Sequence, residues 1–161
     1  MNWILRKSNK FDYHTNLKEV IKPIFNDIAD LNWLVTDLEY CVWDGSQPPI
    51  SMDDEYRILN AAEFKAVANT EMQIIWGIFL GVPQQIQIQV DLNNLPYAEN
   101  TAIVWKNGNI QYPGAVVEII CFDSGYTIIK FMDEALSTKF KAYFEEAIEL
   151  EKFKNKSAPY Y

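Results

Sequence analysis

At 161 residues the chain has the length of one domain, enough to bury roughly 70% of the surface its unfolded form exposes, and its 49% hydrophobic, 14% aromatic and 22% charged residues exclude disorder over most of that length. Acidic residues outnumber basic ones 22 to 14, for a formal charge of −8. Phosphate backbones repel such a surface, so nucleic acid is excluded as a partner class, whereas a basic protein partner is attracted.

In chain order, Leu17, Val20, Ile21, Ile24, Phe25 and Ile28 form the apolar stripe of an amphipathic helix headed by Asn16, with Glu19 at capping distance. Pro23 lacks an N–H and clashes with the preceding turn, so the helix is expected to kink or restart there. Leu31 to Asp44 reads as extended, one bent strand or two short ones around Asp37-Leu38-Glu39. Asp44-Gly45 and Pro48-Pro49 end it, leaving Asp44 to Asp54 as an irregular surface loop. Tyr56 to Leu59 is a short strand, and Asn60 with Glu63 heads a helix over about Ala61 to Ala68.

Met72 to Leu80 is apolar on both faces and suits a central strand covered on both sides. Gln84 to Val90 alternates cleanly, which predicts a half-buried antiparallel strand. Asn107-Gly108 between Ala102–Lys106 and Asn109–Tyr112 predicts a hairpin. A second hairpin is expected from Val116 to Phe131 around Asp123-Ser124-Gly125, with glycine taking the positive φ. A helix follows from Asp133, with Leu136, Phe140, Tyr143, Phe144 and Ala147 on one face, then a short strand over Ile148 to Phe153 and a flexible tail over about 155–161. The fold expected is a single α+β domain over 1–161: a mostly antiparallel or mixed sheet of about five to seven strands, with two or three helices packed on one face.

Chemistry-bearing groups are few. One histidine, His14, and two cysteines, Cys41 and Cys121, do not supply a zinc set or a nucleophile–base pair at any recognisable spacing. Gly77 and Gly81 lie in an apolar strand without the lysine of a phosphate loop, and mark close strand packing or a bulge. Asp53-Asp54-Glu55 lacks the alternating oxygens of a calcium loop. Asp123-Ser124-Gly125 is explained by turn chemistry. No catalytic residue, metal site or cofactor is expected. Trp43 and Trp105, placed beside a loop and a hairpin tip, are the aromatic anchors expected of a protein interface. With Asp44, Asp53, Asp54 and Glu55 they form the candidate binding set.

The apolar run from Ile74 to Val82 is too short to span a bilayer, and Met-Asn-Trp-Ile-Leu-Arg-Lys lacks the apolar length of a signal peptide. The strand-embedded cysteines read as reduced thiols, so a cytoplasmic protein that does not enter membranes is expected.

Val-Glu-Ile-Ile-Cys-Phe-Asp-Ser-Gly-Tyr-Thr-Ile-Ile-Lys-Phe (Val117 to Phe131), followed by an amphipathic helix and a terminal Glu-Leu-Glu, resembles the end of an uncharacterised family of small bacterial proteins. Ile58-Leu59-Asn60 to Pro83 is more loosely similar. The resemblance implies a bacterial origin and no known chemistry. In size, charge and fold style the chain is also similar to immunity proteins, the small acidic antagonists of secreted bacterial toxins. The expected function is therefore a non-enzymatic protein-binding module, with toxin neutralisation as its sharpest form. The alternatives are a small carboxylate enzyme using Asp44, Asp53, Asp54 or Asp123, and a small-ligand sensor.

Overall fold

The structure, a computed structural model, describes residues 2–13, 15–42, 47–49, 51 and 53–156, with the side chains of 101 and 154–156 excepted. Seven strands form one sheet in which every pairing is antiparallel: β1 (Asn2–Leu5), β2 (Leu31–Val42), β3 (Tyr56–Leu59), β4 (Met72–Pro83), β5 (Val117–Phe122), β6 (Tyr126–Phe131) and β7 (Ile148–Glu149), in the order β3-β2-β4-β5-β6-β1-β7. Around it lie α1 (Leu17–Ile21), α2 (Ala61–Ala68), α3 (Thr101–Val104), α4 (Glu134–Tyr143) and α5 (Leu150–Lys156). The expected α+β domain is the observed one.

Local chemistry sets the helix starts. Asn16 accepts from Glu19 N, Asp133 accepts from Ala135 N, and Asn60 with Glu63 closes a reciprocal capping box at 3.0 and 2.8 Å. Pro23 ends α1 as its missing donor requires, and the chain continues as a 3-10 turn over Lys22–Ile24.

Period-2 alternation divides the sheet between two cores. One face carries Trp33, Leu59, Phe79, Ile119 and Phe131 under α1, α2 and α4. Trp33 stacks on Phe64 of α2 with ring centroids 3.8 Å apart. Trp33 lies opposite Gly81 in the β2–β4 register, where a Cβ would sit 2.6 Å from Val117 Cγ1 and 2.7 Å from Leu31 Cδ1, so only glycine fits. The other face carries Ile4, Leu34, Ile78, Leu80, Ile120 and Ile128. Residues 84–116 and α5 cover it. Both faces are therefore buried, as the two-sided apolar run of β4 predicts, and helices lie on both faces rather than on one.

Three expectations fail in this covering layer. Gln84 to Val90 pairs with no strand among the described residues; after a turn closed by Ile86 N to Pro83 O, Ile88 and Val90 pack half-buried against this face. Alternation reports that one face is buried, and here that burial comes from stacking on the sheet rather than from joining it. The Asn107-Gly108 hairpin is also absent. Gly108 does take φ +73, but Thr101–Val104 coils into a helical turn because Val104 is buried and Trp105 docks on Phe122. Past β7 the chain turns into α5, so the expected Ile148–Phe153 strand is two residues long.

At Asp123-Ser124-Gly125 the hairpin is present, but the positive φ falls on Asp123 (48) and Ser124 (52), not on the glycine. Gly125 N closes the turn on Phe122 O, and Ser124 N donates to Ile75 O across on β4. In β2 the expected bend is a bulge between Thr36 and Glu39, with Asp37 at φ 52. Strand β1 went unread, because four residues show no periodicity.

Candidate functional site

The sheet has an open margin at β3, which pairs with β2 and, among the described residues, with no other strand. On such a margin alternate N–H and C=O groups point away from the sheet. Ile58, at the middle of β3, is 46% exposed. Beside it lies Leu92, 60% exposed, brought there by a 3-10 turn whose Asp91 side chain accepts from Asn93 N. Together with Asp54, Glu55, Tyr56 and Arg57 they line a groove of about 440 Å³.

The β2 bulge places the covering segment at this margin. Asp37 is turned into the left-handed region, and its carboxylate accepts from Ala98 N at 2.8 Å. Its neighbour Thr36 donates its hydroxyl to Pro96 O at 2.7 Å. Thr36 is the β2 partner of Tyr56, so the exposed Tyr97, held between these two anchors, belongs to the same margin.

Carboxylates border the groove, Asp54 and Glu55 in its lining and Asp53, Asp91 and Glu99 close by in the chain. Asp53, Asp54, Glu55, Asp91 and Glu99 are all exposed. Asp53 lies near enough to Tyr40 on β2 that its charge, after burial as the larger cause, raises the phenol above its ordinary pKa. Arg57 is, among the described residues, the one cation lining the groove, and it is ion-paired to Asp54. Its Nε is buried and has no hydrogen-bond partner among the described residues. The margin is thus apolar at its centre, acidic at its rim and, among the described residues, bordered by no further strand.

Of the candidate binding set, Asp53, Asp54 and Glu55 come together here. Trp43 and Asp44 lie outside the described residues, as does His14. Trp105 is elsewhere: half-buried, its ring 5.3 Å from Phe122 and stacked at 5.9 Å on Phe153. Phe122 belongs to β5, three strands from β3, or about 14 Å at the usual strand spacing. Trp105 is a packing residue of that aromatic group, which also holds Trp76 and Tyr126, with the Arg6 guanidinium 5.4 Å from the Tyr126 ring. Asp123 is exposed at the β5–β6 tip, so it does not pair with Asp53 or Asp54 in one site. Among the described residues no three His, Cys, Asp or Glu side chains assemble as metal ligands, and no helix is long and apolar enough to cross a membrane.

The residues that sequence reasoning missed are Ile58, Leu92, Tyr97 and Arg57. Leu92 did carry a signal: it is a lone large apolar residue inside Asp91-Leu92-Asn93-Asn94, a turn sequence with nothing local to bury it. Comparison with family models, with curated proteins and with solved structures gives no match.

Proposed function

We propose that this protein is a non-enzymatic binding module that takes an extended, basic segment of a partner protein along β3. The observation that supports it is the coincidence of an open strand margin, exposed Ile58, Leu92 and Tyr97, and a carboxylate rim. Strand addition uses main-chain hydrogen bonds for affinity and alternate side chains for specificity. A partner residue facing Ile58 and Leu92 would be apolar, and those reaching the rim would be Lys or Arg. The chain's charge of −8 keeps a second copy away from this margin while attracting a basic strand. The sharpest form of this function is neutralisation of a basic bacterial toxin in the cytoplasm, which the likeness to immunity proteins in size, charge and fold style supports.

A short synthetic peptide alternating lysine and valine tests the proposal by fluorescence anisotropy, beside a glutamate–valine peptide of equal length. The basic peptide should bind saturably and more weakly as salt rises, and the acidic one should not bind. Replacing Ile58 by Thr and Leu92 by Ser should weaken binding about tenfold, as expected from the apolar area withdrawn. Changing Met132, a more exposed apolar residue outside the groove, to Ser should not. Equal binding of both peptides, or equal loss at Met132, would overturn the proposal.

A further inference from the structure

The helical face holds a second concavity that shares no residue with the β3 margin. It runs between α1, with the turns that follow it, and α2. One part, of about 390 Å³, is lined by Lys18, Ile21, Lys22, Phe25, Lys65 and Ala68 among others. The adjoining part, of about 250 Å³, shares Phe25 and Lys65 and continues past Ile28, Ala61, Ala62 and Phe64.

The local sequence explains why this trough is open. Pro23 stops the helix, so Phe25 and Ile28 arrive on wide turns rather than on a continuous helical ridge. Across from them α2 presents Ala61, Ala62 and Ala68, whose single methyl groups do not fill the space. Ile21, Ile28, Phe64 and Ala68 are buried and form an apolar floor.

The rim is cationic, against the charge of the whole chain. Among the described residues Glu19 is the one carboxylate that lines the trough, and it is paired to Lys22 at 2.9 Å. Lys18 and Lys65 have no carboxylate partner among the described residues. The Lys65 ammonium lies 5.6 Å from the centre of the Phe25 ring, at the junction of the two parts.

We propose that this trough binds an amphiphilic anion of the alkyl carboxylate class, its chain along Phe25, Ile28, Ala61 and Ala62 and its head group between Lys18 and Lys65. An apolar slot with a few convergent polar groups is the usual form of a small-ligand site, and the combined lining is of ligand size. An anion here gains two unpaired cations, which an uncharged alkyl compound of the same length does not.

The probe is decanoate below its micelle concentration, titrated into the full chain and followed by methyl NMR at Ala61, Ala62, Ile21 and Ile28 together with the shift in melting temperature. Saturable 1:1 binding with thermal stabilisation is expected. Both lysines are exposed, so K18E and K65E should each weaken it only about three- to fivefold, the scale of one reversed charge in a solvated position. A62W, at an exposed position that leaves the Asn60–Glu63 capping box in place, should abolish it while the variant keeps its own melting transition. Decyltrimethylammonium binding as tightly as decanoate, tighter binding of anionic phosphatidylglycerol vesicles, displacement of decanoate by an acidic helical peptide at equal concentration, or no saturable binding would each overturn the proposal. The lysine–valine peptide should bind unchanged in A62W, so the two sites succeed or fail separately.

Discussion

Lys130 and Glu118 are opposite one another in the β5–β6 register, and both side chains are wholly withdrawn from solvent. Lys130 Nζ lies 3.2 Å from Glu118 Oε2 and donates to the carbonyl oxygens of Asn109 at 2.7 Å and Ile103 at 3.2 Å. Gln111 Nε2 donates to Glu118 Oε1 at 2.9 Å. This network fastens residues 103–111 to the sheet. Replacing Lys130 by Met leaves a buried carboxylate with one side-chain donor and takes the ammonium from the Asn109 and Ile103 carbonyls, of which Ile103 O still accepts from Lys106 N at 3.0 Å. Breaking one half of a buried pair costs about 3–5 kcal/mol, or about 6–20 °C in melting temperature for a domain of this size. Replacing both residues, K130M with E118L, should recover most of that loss, because the stranded charge is gone.

The loss in K130M should also depend on pH. Burial, the largest cause, raises the Glu118 carboxyl above its ordinary value, while Lys130 and Gln111 pull it down. A carboxyl raised in the folded state holds its proton more tightly there than in the unfolded chain. Its contribution to stability is full below the ordinary carboxylate pKa and is lost as pH climbs through the raised value. Without Lys130 the raised value climbs further, so the gap between K130M and wild type should narrow from pH 7 to pH 5. Other groups titrate alike in both proteins and cancel in the difference. Urea melts at the two pH values measure it. A loss below about 1 kcal/mol, or a gap that does not narrow on acidification, would refute the buried pair.

Gly81→Ala should lose about 1–3 kcal/mol by calorimetry, because its Cβ would meet Val117 and Leu31 where neither side chain can retreat; an unchanged melting temperature would contradict the close β2–β4–β5 packing. Ser124→Gly should gain about 0.5–1 kcal/mol, since Ser124 occupies the left-handed region at φ 52 that glycine enters without strain; a loss of stability would contradict that geometry. Cys41 is exposed, whereas burial pushes the Cys121 thiol far up, so a disulfide-exchange reagent should titrate one thiol in the native protein and two in denaturant. Fast reaction of both in the native state would place Cys121 wrongly.

The sheet was legible wherever a strand is long or framed by a strong turn. The run Met72 to Leu80 announced a central strand by being apolar on both faces, and Asp123-Ser124-Gly125 marked the β5–β6 hairpin even though the glycine does not carry the positive φ. Residues 84–116 were misread because period-2 alternation and Asn-Gly describe local preference. The side chains that anchor the segment to the sheet lie outside it, on Thr36, Asp37 and Lys130. The same contacts hid the β3 margin. Asp53, Asp54 and Glu55 stood out as an acidic run next to a strand, but the exposure of Leu92 and Tyr97 arises only because the β2 bulge carries them to that place. Trp105 shows the converse: a residue type enriched at interfaces was taken up by a neighbouring aromatic group.

Amide hydrogen exchange of the full chain, with and without the lysine–valine peptide, tests strand addition at β3 most directly. If the peptide pairs with β3, those amides of Tyr56 to Leu59 that point away from β2 should slow on binding, while amides in the β5–β6 ladder keep their rates. Saturable peptide binding that leaves every β3 amide exchanging as before would contradict it.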